Sequence, residues 1–368
     1  MKHPLRTLLT LGVLTLVIAQ LALPQEPDEA DEENRATKTI AETTENSDRF
    51  EGLFTIYRDR DSGATHMEIS PEQLDREYIY VAVSTDGVVQ GGHFRGRYRD
   101  NRILSLARHF DRIEIRAKNT AFYFDPESPL SRASEANISS GLLVSEPIFA
   151  EDEETGKVLI NVDEVFSSET LLQVKPTPDP DEDAENRFRL GSLSDDKSKI
   201  TEIRNYPLNT NVHVEYVYEN PAPIVRGDEE VTDSRYVSIY MQHSFIAIPE
   251  NDYEPRLTDH RMGFFAQQVT DLTDTSVTPY RDLVERWHLK KKDSTAPMSE
   301  PVEPIVWWIE NTTPMEFRDS IREGVLAWNQ SFEKIGFENA LVVRIQPDDA
   351  QWDAGDIRYN VLRWTSSP

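Results

Sequence analysis

Eight histidines are the residues of this chain with the most obvious potential for metal chemistry. A catalytic zinc ion takes about three protein ligands, and the zinc-binding helix H-E-x-x-H supplies two of them as histidines four residues apart, with a general-base glutamate between them. The histidines are His3, His66, His93, His109, His213, His243, His260 and His288, and no two of them are four residues apart. The sequence therefore predicts no catalytic residue and no metal ligand in this chain.

Four arginines form the one basic run of the sequence. The run comprises Arg95, Arg97, Arg99 and Arg102, which surround Phe94 and Tyr98. One interpretation is a contact surface for an acidic ligand. The favoured interpretation is a strand whose arginines pair with nearby aspartates and glutamates, because exposed ion pairs of this kind are common and contribute little.

Two loops carry charged groups that could act as ligands. Residues 179–186 imitate the start of an EF-hand calcium loop, but Ala184 stands where glycine is needed and Leu190 where the bidentate glutamate is needed. A solvated acidic loop is the favoured interpretation, with weak calcium binding as the alternative. The second loop contains Arg256, Asp259 and Arg261, for which we predict a structural Arg–Asp network, with a ligand role for His260 as the alternative.

The last fifth of the chain contains the elements that would have to position a catalytic site. Residues 304–310 and 340–345 are apolar and β-branched, which predicts two buried strands. Between them Thr313 is a candidate N-cap, with Pro314 and Glu316 completing the start signal, and Gly336 is a helix-ending residue. The predicted helix has one apolar stripe, formed by Ile321, Val325, Trp328, Phe332 and Ile335. Core packing is the favoured interpretation of Trp307, Trp308 and Trp328, over carbohydrate stacking.

A third strand is predicted at residues 357–364 by its alternation. Ile357, Tyr359, Val361 and Arg363 fall on one side of it, and Asn360 falls on the other. A strand at the edge of a sheet offers unpaired backbone groups to an extended peptide. These five residues are the candidate residues of such an edge strand.

Residues 304–368 resemble the first half of a metzincin-type catalytic domain. More narrowly, they resemble the bacterial secreted zinc-dependent metalloproteases that carry a long β-rich region of uncharacterised function. Residues 52–81 resemble the opening of that region, and residues 243–265 resemble its closing segment, most specifically at 255–263. The resemblance implies that the third strand lines a substrate cleft, that zinc is the cofactor of the full-length family, and that a polypeptide is its substrate. It also implies that the zinc-binding helix H-E-x-x-H follows, so we expect this chain to be an inactive portion that binds no zinc itself, a truncated product or a fragment.

The remainder of the chain predicts a mostly β protein with antiparallel sheets, followed by an α+β half of a zincin-like catalytic domain. We predict β-rich structure over residues 49–292, with two possible subdomains near 49–123 and 124–292, and a proline-rich linker over 293–303. Residues 212–218 alternate most clearly: Val212, Val214, Tyr216 and Tyr218 share a face. Residues 108–116 are predicted as one further strand.

The N-terminus has the pattern of a targeting segment. Lys2 and Arg6 precede an apolar run of signal-peptide length, and cleavage is expected after Ala19 or, second, at Ala22. We therefore predict a signal peptide over residues 1–22 and a secreted or periplasmic protein, with an uncleaved anchor as the alternative. Residues 23–48 are acidic and almost devoid of apolar groups, which predicts a disordered linker.

Composition limits the partners. The net charge of −27 argues against nucleic acid and against an anionic membrane, because both require a basic surface. The sequence contains no cysteine, so the fold depends on its core and not on disulfides. Two functions compete: the N-terminal portion of a secreted zinc-dependent endopeptidase, and a stand-alone extracytoplasmic binding or scaffold protein. Sequence does not indicate an oligomeric state.

Overall fold

A computed structural model describes residues 39–134, 136–177 and 187–365. The predicted signal peptide, most of the predicted acidic linker and the acidic loop at 179–186 lie outside these residues. In chain order the strands are β1 (Ser47–Phe50), β2 (Thr55–Asp59), β3 (Thr65–Ile69), β4 (Glu77–Asp86), β5 (Arg97–His109), β6 (Arg112–Ala117), β7 (Phe122–Tyr123), β8 (Gly141–Asp152), β9 (Lys157–Asn161), β10 (Ser192–Leu193), β11 (Lys199–Tyr206), β12 (Asn209–Glu219), β13 (Tyr236–Ala247), β14 (Ala266–Asp271), β15 (Tyr280–Val284), β16 (Ile305–Ile309), β17 (Leu341–Ile345) and β18 (Asn360–Leu362). The helices are α1 (Ile40–Thr43), α2 (Asp163–Ser167), α3 (Met315–Leu326) and α4 (Asn329–Glu333).

The described part of the chain is mostly β, and one large sheet dominates it. Its twelve strands run in the order β1-β2-β3-β9-β8-β6-β5-β4-β13-β12-β10, and β11 also pairs with β12. The pairs within this sheet are antiparallel, as predicted. Because β6 pairs with β8, the possible subdomain boundary near residue 123 does not divide the sheet.

The two ends of the large sheet come together. The backbone N–H of Leu53 donates to the carbonyl oxygen of Tyr206 at 2.8 Å, and the Asn205 side chain donates to the carbonyl of Phe50 at 2.8 Å. The sheet therefore curves around the larger of two apolar clusters, and the smaller one consists of Ile40, Tyr57, Ala150 and Leu159. The predicted face of β12 points into the larger cluster, since Val212, Val214, Tyr216 and Tyr218 are all buried.

Several predicted elements of the β-rich part need correction. Residues 108–116 form no single strand, because Phe110 takes a left-handed conformation at φ 55° and turns the chain between β5 and β6. Residues 39–48, predicted as disordered linker, form α1 and the start of β1, with Ile40 buried. Strands β14 and β15 were not predicted; they form a separate sheet with β7.

A second small sheet lies at the C-terminal end of the described chain. It has the order β17-β16-β18, and both pairs are parallel. Helices α3 and α4 connect β16 to β17 on the chain. The sequence predicted three strands, with helical structure after the first. The structure shows in addition that the strands are parallel and that β16 lies between the other two.

The predicted linker at residues 293–303 is a folded loop. The backbone N–H of Ser299 donates to the carbonyl of Gly336 at 3.2 Å, and that of Glu338 donates to the carbonyl of Ser299 at 3.2 Å. Ser299 is buried. Residues 293–303 are therefore held against the end of the helical connection by backbone hydrogen bonds, and they do not form the free linker that was predicted.

The helical connection differs from the single predicted helix. Its N-cap is Pro314 and not Thr313, with no side-chain capping bond, and the helix is interrupted between α3 and α4. Gly336 follows at φ 89° and ends the segment as predicted. The predicted apolar stripe is only partly covered: Trp328 is 64% exposed and Ile335 is 66% exposed. Trp328 is thus not a core residue.

Candidate functional site

A cavity of about 410 Å³ near the start of β5 is lined by several basic side chains. Arg97, Arg99, Lys175, Arg187 and Arg189 line it, and the apolar side chains of Phe188 and Leu190 form part of its wall. We call these residues the basic pocket. Of these basic residues, the sequence pattern singled out only Arg97 and Arg99, which belong to the arginine run at 95–102.

The structure divides that arginine run into two pairs. Arg95 contacts Asp86 at 3.0 Å and Arg102 contacts Asp100, so the favoured ion-pair interpretation holds for them. Arg97 and Arg99 line the basic pocket instead. The register between β4 and β5 shifts at Arg99, which has no partner residue on β4, and both Arg97 and Arg99 line the same cavity.

The cations of the basic pocket bind backbone carbonyls. Arg97 Nη1 donates to Gly92 O, and Arg99 Nη1 approaches the same oxygen at 3.5 Å. Arg99 Nη2 donates to Val174 O at 3.2 Å, and Lys175 Nζ donates to Gly191 O at 2.6 Å. For Arg97, Arg99 and Lys175 the carbonyl dipoles satisfy some donors but do not neutralise the positive charge.

Carboxylates are nearly absent from this cavity. Among residues 39–134, 136–177 and 187–365, no carboxylate oxygen lies within 4.0 Å of the charged nitrogens of Arg97, Arg99, Lys175 or Arg189. Glu169 is near, but its carboxylate accepts hydrogen bonds from the backbone N–H of Lys175 at 2.6 Å and from the Tyr218 hydroxyl at 2.8 Å. The pocket is therefore locally positive within a chain of net charge −27.

The pKa shifts agree with a positive environment. Burial, followed by repulsion from Arg97, lowers the pKa of Arg99. Behind the pocket His93 is fully buried, and burial together with the charges of Arg99 and Arg97 lowers the pKa of His93 to about 4. His93 is thus neutral at physiological pH. This arrangement of described side chains can hold an anion.

The predicted cleft strand is shorter than expected. β18 comprises Asn360–Leu362 and pairs with β16 on one side, while no other described strand pairs with its opposite side. Asn360 Nδ2 donates to Val306 O at 3.0 Å, and Arg363 contacts Glu310 at 3.4 Å. Val361 is half-buried and registers with Trp308. Ile357 and Tyr359 precede the strand and are not part of it, which corrects the predicted alternation.

Two contacts explain why β18 begins at Asn360 and not at residue 357 as predicted. The Tyr359 ring stacks on Trp352 with centroids 3.8 Å apart, and the backbone N–H of Ile357 donates to Asn209 Oδ1 at 3.1 Å. Both hold the chain in a turn. The sequence pattern has no signal for either, since the partner of Ile357 lies on β12.

The loop before β18 is docked on the large sheet. Asn209 Nδ2 and Asn211 Nδ2 donate to Gly355 O at 2.9 and 3.0 Å, and the Tyr206 hydroxyl donates to Asp353 at 2.7 Å. Both asparagines are buried. The large sheet therefore determines where the chain enters β18.

The predicted loop network forms in part. Arg261 binds Asp259 through Nε at 2.8 Å and through Nη2. Arg256 does not join them and lies over the Phe264 ring at 5.8 Å. His260 is almost fully exposed, 3.9 Å from Asp259. The structure therefore shows an exposed Arg–Asp pair and no set of ligands at this loop.

Neither a cluster of metal ligands nor a membrane-spanning helix is present in the described residues. Within them no group of three or more His, Cys, Asp or Glu side chains is placed to hold a metal ion. The donors present do not fit the zinc site that the metzincin resemblance implies. No helix of this part of the chain is long and apolar enough to cross a membrane.

Fold and site together define a mostly β domain with a basic pocket at the start of one central strand. The chain belongs to the family described as a domain of unknown function (DUF5117), which matches residues 96–292 and so more than half of its length. All five basic residues of the pocket lie in the matched range. No curated protein and no solved structure matches the chain.

Proposed function

We propose that this chain is the N-terminal portion of a secreted zinc-dependent endopeptidase. The observation that carries the proposal is the parallel sheet β17-β16-β18, with helical structure between its first two strands. Together with the resemblance of residues 304–368, it supports assigning this part to the start of a zincin-like catalytic domain. The substrate class is polypeptide.

Strand β18 is the proposed substrate-contacting edge. One of its sides pairs with β16, and within the described residues its other side has no strand partner. An extended peptide can add to such an edge through main-chain hydrogen bonds. Asn360, Val361 and Arg363 lie where such a peptide would pass, whereas Ile357 and Tyr359 support the turn before it.

The β-rich region acts in this proposal as a platform for that edge. Its buried Asn209 and Asn211 hold the carbonyl of Gly355, and its Tyr206 holds Asp353. These bonds fix the loop that leads into β18. A platform role is favoured over that of a detachable pro-domain because these bonds link the region directly to the proposed catalytic part.

Zinc enters the proposal only as the cofactor of the whole enzyme. The described residues supply no ligand cluster for it, and the proposal assigns no catalytic step to them. The partly uncovered stripe of α3 and α4, with Trp328 and Ile335 exposed, supports a further apolar partner for the helical face. In the proposal that partner is the remainder of the catalytic domain, which would also supply the ligands.

The test compares the purified 368-residue chain with a version extended through the contiguous downstream coding sequence. Zinc content by elemental analysis and hydrolysis of casein are measured on both. We expect the extended version to bind zinc and cleave casein, and the shorter chain to do neither. Stoichiometric zinc and casein cleavage by the shorter chain would contradict the assignment, and so would an inert, zinc-free extended chain.

Secretion is tested separately by mass spectrometry of the protein recovered outside the cytoplasm. We expect the mature chain to begin after Ala19 or, as the second choice, after Ala22, because small residues suit the cleavage position of a signal peptidase. A chain that retains Met1 and stays with the membrane fraction would support the uncleaved anchor.

A second candidate is a stand-alone extracytoplasmic binding or scaffold protein. The observation that favours it is the basic pocket, which belongs to the large sheet and makes no use of β16, β17 or β18. It predicts specific ligand binding by the 368-residue chain with no gain of proteolysis in the extended version.

A further inference from the structure

We infer that the basic pocket binds a small organic dianion, a compact ligand with two carboxylates and an apolar part. This site is separate from the proposed peptide edge at β18, and the inference does not rest on the protease proposal. Its ligand chemistry has two sources, a free dicarboxylic acid and the acidic side chains of a peptide, which the experiment below distinguishes.

The first step is the uncompensated charge. The chain has 66 acidic and 39 basic residues, so carboxylates are in excess, and most nearby arginines have one. In the part of the chain that the structure describes, Arg97, Arg99, Lys175 and Arg189 have none within 4.0 Å. Like charges brought together in a partly buried cavity are unfavourable, and an anion placed between them removes that cost.

The second step is the number and direction of the unused donors. A guanidinium group has five N–H donors in a planar fork that matches a carboxylate. Arg97 uses one of them, toward Gly92 O, and Arg99 uses two, toward Gly92 O and Val174 O. Arg99 Nε is buried and has no partner among the described residues. Both residues line the same cavity and both guanidinium groups converge on one carbonyl oxygen, so their terminal N–H groups lie close enough together to suit two neighbouring carboxylates.

The third step is size and polarity. A cavity of about 410 Å³ is at the small end of the usual range for ligand sites, roughly 300–1,000 Å³. Buried Phe188 and Leu190 give it an apolar wall, so the ligand needs an apolar portion as well as its charges. A long polyanion is disfavoured, because the net charge of −27 repels it outside this one pocket.

The experiment is isothermal titration calorimetry on the full chain at low and moderate salt. The probes are phthalate and succinate as dicarboxylates, benzoate as a monocarboxylate, inorganic phosphate, and a capped acidic hexapeptide. We expect a dicarboxylate or the acidic peptide to bind more tightly than benzoate, with affinity that falls as salt rises. The peptide binding more tightly than the free acids identifies a protein segment as the source, and the reverse identifies a free acid.

The variants use the division within the arginine run. R97Q/R99Q should weaken binding by about 100-fold, because it removes two charge-assisted contacts that contribute about tenfold each. R95Q/R102Q, which removes arginines already paired with Asp86 and Asp100, should change affinity by less than about threefold. Arg189→Gln tests the pocket from outside β5, should the double variant fold poorly, and is expected to weaken binding by about tenfold.

One further variant removes the carboxylates of the sequence that joins two of the pocket-lining residues. The sequence between Thr177 and Arg187 contains Asp179, Asp181, Glu182, Asp183 and Glu185, and all five are replaced by their amides. Absence of binding of every probe to both this variant and the natural sequence overturns the inference. So does benzoate binding as tightly as phthalate, or an equal loss in the two arginine double variants.

Discussion

The Nε2 atom of His243 lies 2.8 Å from the hydroxyl oxygen of Tyr216 in the fully buried centre of the large sheet. Tyr216 donates its hydroxyl proton to the carbonyl oxygen of Phe166, which has no proton to return. Nε2 therefore carries the histidine hydrogen and donates it to Tyr216. Nδ1 is then unprotonated and accepts from the Tyr80 hydroxyl at 2.7 Å. One neutral tautomer satisfies both ring nitrogens and both hydroxyls.

Removal of this histidine should be strongly destabilising. His243→Leu leaves the buried Tyr80 hydroxyl without its partner, and an unsatisfied buried group together with altered packing costs about 2–4 kcal/mol of unfolding free energy. Urea unfolding followed by circular dichroism measures the change. His260→Leu is the matched control, because its side chain is almost fully exposed, and it should stay within about 0.5 kcal/mol. Equal losses in both variants would rule out the buried network as the cause.

Acid should destabilise the fold before its carboxylates titrate. Burial lowers the pKa of His243 to about 3, and burial with the nearby arginines lowers the pKa of His93 to about 4. Both values lie below the ordinary value of 6.5, so between pH 6.5 and about 4 the unfolded chain binds protons that the folded chain does not. The unfolding free energy therefore falls as the pH falls, by up to about 1.4 kcal/mol per pH unit for each histidine, and is retained above pH 6.5.

Urea titrations at about pH 7, 6 and 5 measure this slope. His243→Leu should reduce the slope because it removes one of the histidines whose pKa is lowered by burial, a set that also includes His66 and His213, whereas His260→Leu should leave it unchanged. A stability that is flat across this range in the natural sequence would show that these histidines take up protons without unfolding.

The docking of the loop before β18 should depend on Asn209. Asn209→Ala removes its hydrogen bonds to Gly355 O and to the backbone N–H of Ile357, so we expect faster amide exchange in the segment Asn360–Leu362. Hydrogen–deuterium exchange read by mass spectrometry resolves this segment. Asn119→Ala removes only an exposed local bond to Ala121 and should leave the exchange unchanged. No acceleration in the Asn209 variant would mean that pairing with β16 alone holds the strand.

The stack of Tyr359 on Trp352 should be visible in fluorescence. Tyr359→Ala removes a parallel ring contact at 3.8 Å and opens Trp352 and Trp308 to water, so the tryptophan emission should shift to longer wavelength. The stability loss should be about 1–2 kcal/mol. Tyr98→Ala is the control, because Tyr98 is largely exposed, and an identical emission shift there would exclude a local effect.

Local patterns determined the parts of this protein that depend on neighbouring residues in the chain. The alternation at 212–218 predicted a strand with one buried face, because successive side chains of a strand point to opposite sides. Gly336 predicted the end of the helical segment, because glycine readily adopts the left-handed conformation that ends a helix. The mostly β, antiparallel class followed from many such runs. The zincin-like assignment and the zinc cofactor remain proposals.

Contacts between residues distant in sequence decided the rest. The run at 95–102 contains a partner for Arg102, which is Asp100, but it does not show that Asp86 pairs with Arg95 or that Arg99 donates to Val174 O. In the same way, β18 begins at Asn360 because β12 holds the N–H of Ile357. Charge pairing and hydrogen bonding act through space, so the ligand-binding character of an arginine is set by which distant carboxylate or carbonyl the folded chain brings beside it.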